Sequence, residues 1–215
     1  MDTNVYKIGF RAGIMAFAAN ALFIVAQSLQ LLRLLSYPYD EIFIYGFSLC
    51  IVLPFVIEIL ALHYVTESDN KFWSHAALIF TVIYAVFVSA NYVIQLATVI
   101  PMNLKGEADK VAVLVQYPHS MFWDFDAVGY ICMGLAFAFV LPVFKNQGLD
   151  KWVRISFLAN AVVTPLIAFV YFYPDFTETI LLLAIPWTIT APMMMLLLAL
   201  WFRKTDAYKR SNISK

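Results

Sequence analysis

One carboxylic acid, Glu58, lies deep inside a long apolar stretch of this sequence. An acid surrounded by hydrocarbon is costly unless it faces other protein or water, so it is by default a candidate functional group. Pro54, four residues earlier, removes a backbone hydrogen bond and frees a carbonyl nearby. Glu58 is therefore predicted either to accept a proton or bind a substrate in a cavity, or to be a neutral acid hydrogen-bonded to a neighbouring helix.

Two further acids, Asp124 and Asp126, open the fourth apolar segment of the chain. Two residues apart on a helix, they point to nearly opposite faces, so at most one of them enters a shared cavity. Asp126 is one helical turn from Tyr130, and a pocket on the Tyr130 face would use Asp126. The alternative is that both acids complement the positive end of the helix dipole, with Ser120 as the helix cap.

Amide side chains recur on three of the apolar segments. They are Asn20, Gln27 and Gln30 on the first, Asn91 and Gln95 on the third, and Asn160 on the fifth, where Thr164 and Tyr171 share its face. Such amides either hydrogen-bond helices to one another, at about 1 kcal/mol or less each, or line a polar cavity. If the N-terminus is cytoplasmic, Gln27, Asn91 and Gln95 lie in the outer half of the membrane, at the level of Asp126. These positions predict a polar cavity that is open to the outside, with Glu58 and Asn160 at its floor.

The elements that position these groups follow from composition. The 215 residues are 63% hydrophobic and 13% charged, against about 45–50% and about 25% in soluble domains. Six segments reach the roughly 20 residues that a membrane-spanning helix needs. They are residues 9–32, 42–65, 76–100, 121–144, 152–173 and 180–202. The chain is therefore predicted to be a single all-α domain, a polytopic bundle of six transmembrane helices, with loop 101–120 at the interface or folded back over the helices.

Orientation follows from the basic residues, which are retained in the cytoplasm. If the N-terminus is inside, eleven of the fourteen fall on that side: Lys7, Arg11, Lys71, Lys145, Lys151, Arg154, Arg203, Lys204, Lys209, Arg210 and Lys215. Only Arg33, Lys105 and Lys110 fall outside. Both termini are therefore predicted to be cytoplasmic, in a multi-pass protein of a cell membrane.

Several function classes lack their sequence signatures. The chain has no GxSxG, HExxH or Walker motif, and its net charge of zero gives no reason to expect a nucleic-acid partner. His119 with the two neighbouring acids is too incomplete a set for a hard metal ion. No cofactor and no metal are predicted.

Three motifs carry a resemblance: Asn91-Tyr92-x-x-Gln95, then Trp123-Asp124-x-Asp126-x-x-Gly129-Tyr130, then Pro186-Trp187-x-Ile189-Thr190-x-Pro192. Over most of its length the chain resembles small bacterial six-span membrane proteins catalogued only as domains of unknown function. The resemblance implies a bacterial cytoplasmic membrane, implies no activity, and assigns no residue a role.

Three functions remain open at this stage. The first is a protein that binds or passes a small molecule or ion through the polar cavity. The second is an intramembrane enzyme acting on a lipid or isoprenoid, with Glu58 and Asp124 or Asp126 as acid and base. The third is an accessory or immunity-type protein without chemistry. The bilayer is the predicted partner, and the Gly9-xxx-Gly13 spacing suits either a homo-oligomer contact or an internal one.

Overall fold

The computed structural model describes residues 3–213, and the six predicted apolar segments are all long helices within it. The principal elements are α1 Thr3–Leu31, α2 Tyr39–Val65, α3 Lys71–Ile94, α4 Ile100–Leu104, α5 Met121–Val140, α6 Gly148–Phe172, α7 Glu178–Leu181 and α8 Ile185–Ile213. All six long helices are apolar enough to cross a membrane. The prediction of an all-α multi-pass bundle is confirmed.

The helix ends differ from the apolar runs at both ends of the chain and in the third segment. α1 begins at Thr3 and α8 continues to Ile213, well past the predicted limits at residues 9 and 202. The hydrogen bonds of a helix do not stop where the hydrocarbon does, so hydropathy marks the span rather than the helix. Only the apolar part of each of these helices needs to lie in the bilayer.

The third segment contains an irregular turn. A π-helical turn, Gln95–Val99, separates α3 from α4, and Pro101 follows directly in the first turn of α4. Proline cannot donate a backbone hydrogen bond and its ring crowds the preceding turn, so a widened turn ahead of it is a common remedy. The turn lets the helix run on to Leu104, past the predicted end at residue 100.

The six long helices form a closed ring in chain order. Each packs against the helix before it and the helix after it, and α8 returns to pack against α1. Since successive helices run in opposite directions, both described ends of the chain lie on one side of the ring, here called the termini side. The ten described residues among the eleven predicted cytoplasmic basic side chains are on helices or turns at that side, and Lys215 lies outside the described residues.

The prolines within the second, fifth and sixth spans do not break their α-helices. Pro54, Pro165 and Pro192 remain inside continuous α-helices. The last span instead starts with α7 and a 3-10 turn, Leu182–Ala184, before α8 begins. Pro186 lies in the first turn of α8, where the missing N–H has no helical partner to lose. Pro186 therefore lies at the start of α8 and does not interrupt it.

Candidate functional site

Asp126 is the centre of a buried hydrogen-bond network on the side of the ring opposite the termini. It is 4% exposed. Its Oδ2 accepts hydrogen bonds from the Tyr171 hydroxyl at 2.6 Å and from Gln116 Nε2 at 3.3 Å, and its Oδ1 accepts from Asn91 Nδ2 at 3.3 Å. These donors come from α6, the loop before α5, and α3. The carboxyl therefore joins three separate segments of the chain.

The loop at residues 105–120, here called the strap, is held over this site by side chains of α3 and the π-helical turn. Gln95 donates to the Leu114 carbonyl at 2.8 Å, and its own carbonyl oxygen accepts from the Gln116 backbone N–H at 3.2 Å. Asn91 donates to Gln116 Oε1 at 2.9 Å. Of the two predicted placements for this loop, the structure shows the one folded back over the helices.

Aromatic rings surround the inner edge of the site. The hydroxyls of Tyr92 and Tyr130 are 3.2 Å apart. The Tyr130 ring stacks near Tyr171 and meets the Trp187 ring edge-on, at centroid distances of 6.4 Å and 5.5 Å. Tyr45 of α2 packs on Tyr92 at 5.6 Å. Phenol and indole rings at this position combine apolar walls with polar edges, a lining typical of small-molecule sites.

The negative charge of an ionised Asp126 is not balanced by any basic side chain in the described part of the chain. Within residues 3–213 the ion pairs are Lys110 with Glu107 and Arg210 with Asp206, so Asp126 has no basic partner among the described residues. Its donors are neutral amides and phenols, which stabilise a carboxylate by hydrogen bonds without cancelling its charge. A buried acid with neutral donors can hold a cation or exchange a proton.

The other predicted site residues are distributed as follows. Asp124 is exposed, as its position opposite Asp126 on the helix predicts. Gln27 donates to Gln30, which donates to Asp40, forming a separate chain between α1 and α2. Gln27 and Asp126 therefore belong to two separate hydrogen-bond networks and do not line the single cavity predicted for them.

Asn160 belongs to a contact between α6 and α8. It donates to the carbonyls of Ser156 and Thr190, both at 2.9 Å, and accepts from the Thr190 hydroxyl at 3.0 Å. All its polar atoms are thus used in joining two helices, which is the interhelical alternative for amides. Glu58 is fully buried and makes no hydrogen bond to any described residue, so it shares no partner with Asp126.

Sequence reasoning missed Gln116 and gave Tyr171 only a place on the face of Asn160. Gln116 lies in a loop, where no helical periodicity relates it to Asp126. Tyr171 follows Asn160 by eleven residues on α6 and reaches Asp126 because α5 and α6 are neighbours in the ring. The spacing of Tyr171 was visible in the sequence, but the helix that it faces was not.

The Gly9-xxx-Gly13 pair is an internal contact. A Cβ atom built on Gly9 would lie 2.7 Å from the Phe202 ring, and one built on Gly13 would lie 2.8 Å from Ala199 Cβ. Both neighbours are on α8. These glycines let α1 close the ring against α8, which is the internal one of the two contacts predicted for this pair.

Two cavities lie elsewhere. A groove of about 540 Å³ between α2 and α3 is lined by apolar side chains that include Leu53 and Val86. A pocket of about 290 Å³ on the termini side lies between Asp150 and Lys204. Neither contains a predicted site residue. Among the described residues, no three His, Cys, Asp or Glu side chains are grouped to hold a metal ion.

Comparisons with protein-family models, with curated proteins and with solved structures find no match to this chain. A functional assignment therefore depends on the geometry of the Asp126 site.

Proposed function

We propose that this multi-pass membrane protein binds a small cationic molecule or ion at Asp126, on the side of the membrane away from the termini. The observation that carries the proposal is a buried carboxyl with three neutral donors and no basic partner among residues 3–213. A cation supplies the missing charge.

The aromatic rings support an organic cation as the ligand class. Tyr130, Tyr171 and Trp187 lie beside the carboxyl, and the faces of such rings attract ammonium groups. In the described conformation these rings pack on one another, so a ligand larger than a proton would part them. The strap covers the site on the outer side, and its release is the simplest route of entry.

The orientation of the protein is part of the proposal. With both termini in the cytoplasm, as the basic residues indicate, the Asp126 site and the strap face the cell exterior or periplasm. The membrane that best suits the chain is the cytoplasmic membrane of a bacterium. A reporter that works only in the cytoplasm is expected to be active when fused after α8. A reporter that works only outside the cytoplasm is expected to be inactive at the same position.

Binding is better supported than lipid enzymology. The enzymatic alternative requires Glu58 to work with Asp124 or Asp126 on one substrate. Glu58 lies at the contact between α1 and α8. Asp126 is hydrogen-bonded to side chains of α3, α6 and the strap, and Asp124 is exposed. The acids that would share the work are on different faces of the ring.

Thermal unfolding of the purified protein in detergent tests the proposal. A ligand that binds only the folded state raises the Tm. Ammonium compounds graded in size from ammonium to tetramethylammonium are expected to raise the Tm of the wild type and of Asp124→Asn, and tert-butanol, an uncharged molecule of similar size, is the control. Asp126→Asn is expected to lose the response. Native mass spectrometry of the same samples would identify a co-purifying cation.

Two outcomes contradict the proposal. One is an equal response of Asp126→Asn and Asp124→Asn to every compound. The other is a folded Asp126→Asn variant that still carries the same co-purifying ligand at full occupancy. A protein that binds none of the cations and is only destabilised by Asp126→Asn would favour the accessory role, with Asp126 holding the strap in place.

A further inference from the structure

Glu58 occupies an environment unlike that of any other acid in the described chain. It is 0% exposed, and neither carboxyl oxygen has a hydrogen-bond partner among residues 3–213. A buried polar atom without a partner costs about 1–3 kcal/mol, and more if it is charged. Because native proteins rarely retain such groups, an unpartnered buried carboxyl calls for an explanation.

The carboxyl fills a notch that only glycine leaves open. A Cβ atom on Gly13 would overlap Glu58 Oε1 and lie 2.8 Å from both Glu58 Cδ and Ala199 Cβ. The acid of α2 is thus enclosed between α1 and α8 at the point where the ring closes. We call this contact among Gly13, Glu58 and Ala199 the closure junction.

The same seam holds a second unsatisfied group. Asn20 on α1 is fully buried, its Oδ1 has no partner, and its amide nitrogen has only the Met195 sulfur at 3.8 Å. Asn20 lies about 10 Å along α1 from Gly13. Buried polar atoms without partners thus occur at two levels of one helix interface, where water would satisfy them if the helices parted.

We propose that Glu58 is a proton-binding site that controls the closure junction. The protonated acid fits the notch, since an ionised carboxylate without a partner is far costlier to bury than a neutral one. Loss of the proton favours a state in which α1 moves away from α2 and α8 and water enters from the termini side. A proton is the ligand because the carboxyl already touches Gly13 and the junction leaves no space for an ion and its ligands.

The groups around the junction agree with this direction of opening. Titratable side chains of the surrounding helices, from the mid-membrane level to the termini side, are Tyr6, Lys7 and Arg11 on α1, His63 and Tyr64 on α2, Lys71, His75 and Tyr84 on α3, and Arg203, Lys204, Asp206, Tyr208, Lys209 and Arg210 on α8. None is hydrogen-bonded to Glu58. Most of the charged ones are basic and lie toward the termini side, so an ionised Glu58 is attracted in that direction.

Contacts near the termini close the seam above the junction. Lys209 donates to the Tyr6 hydroxyl at 2.6 Å, and Arg203 lies over the Phe10 ring at 5.8 Å. Both join α1 to α8. Arg203 is exposed and Lys209 is half-buried, so water can reach both cations, in contrast to the packed junction beneath them.

This site is separate from the Asp126 site. Tyr45 of α2 packs on Tyr92 beside the Asp126 site, and Glu58 is thirteen residues, about 20 Å, further along the same helix. Glu58 and Asp126 also share no hydrogen-bond partner among the described residues.

Infrared spectroscopy and hydrogen exchange test the two halves of the proposal. A neutral carboxylic acid has a carbonyl band that a carboxylate lacks, and this band is expected to be present at low pH, to disappear as pH rises, and to be missing from Glu58→Gln. Measuring both forms in an Asp126→Asn background removes the band of the other buried acid. If Glu58→Gln does not fold, a carbonyl band of Asp126→Asn that persists above the pH range in which exposed acids titrate still reports Glu58.

Backbone exchange in residues 6–20, followed by mass spectrometry, reports opening. Dividing the wild-type rate by that of Glu58→Gln at the same pH cancels the intrinsic dependence of exchange on pH. The closed state binds one more proton than the open state, so rising pH favours opening. The ratio of the two exchange rates is therefore expected to increase about tenfold per pH unit over the range in which Glu58 is protonated only in the closed state. Absence of the acid band at every pH, or a ratio that does not change with pH, would overturn the proposal.

Discussion

Asp126 and Glu58 are both acids buried in the same ring of helices, yet their surroundings are opposite. Asp126 accepts hydrogen bonds from three segments of the chain, while Glu58 accepts none from any described residue. The first acid is built into a network and the second is enclosed by packing. Burial alone therefore does not indicate what a membrane acid does; the partners that surround it do.

The largest expected effect comes from removing the centre of the network. Asp126→Leu removes the acceptor of hydrogen bonds from Asn91, Gln116 and Tyr171, and we expect a loss of about 3 kcal/mol in the free energy of unfolding, since three hydrogen bonds to one buried carboxyl are lost. Unfolding in detergent by a chemical denaturant measures this loss. Asp124→Leu on the exposed face of the same helix is the matched control, and a similar loss in both variants would mean that the network is not important for stability.

The next effect comes from filling the notch beside Glu58. Gly13→Ala puts a methyl group against the carboxyl and Ala199, and overpacking of this kind costs about 2 kcal/mol. Gly46→Ala is the control, because nothing lies within 4 Å of a Cβ at that position. Equal stability of the two variants would show that α1 is not held closely against Glu58.

Replacing Glu58 itself is expected to act in the opposite direction to replacing Asp126. Glu58→Met keeps a similar volume and removes two unpartnered oxygens, so we expect a gain of about 1 kcal/mol in stability. The same denaturation experiment measures it. A loss as large as that of Asp126→Leu would show that Glu58 has a partner in the membrane and that the contrast between the two acids is wrong.

The smallest effect concerns the strap. Gln116→Ala removes side-chain hydrogen bonds to Asn91 and Asp126, each worth about 0.6 kcal/mol in a membrane protein. Hydrogen exchange is expected to rise within residues 105–120 and to stay constant in α1. An increase spread over the whole bundle would mean that the strap supports the fold instead of covering the site.

The sequence was sufficient to predict the six helices, because long apolar runs have few other stable structures. It also separated Asp126 from Asp124 by helical spacing. It could not relate Asp126 to Gln116, which lies in an aperiodic loop, nor group Asn91 and Gln95 apart from Gln27. Those relations depend on which helices are neighbours, and hydropathy contains no information about azimuthal position around a ring.

Ring order also determines when each part of the protein is completed during synthesis. Every interface but one joins a helix to the next helix made, so most of the bundle can assemble as hairpins leave the ribosome. The exception is α1 against α8, which waits for the last span. Until then the face of α1 that carries Gly9 and Gly13 has no α8 to pack against. The closure junction is therefore the last part of the bundle to be completed, because Ala199 is on α8.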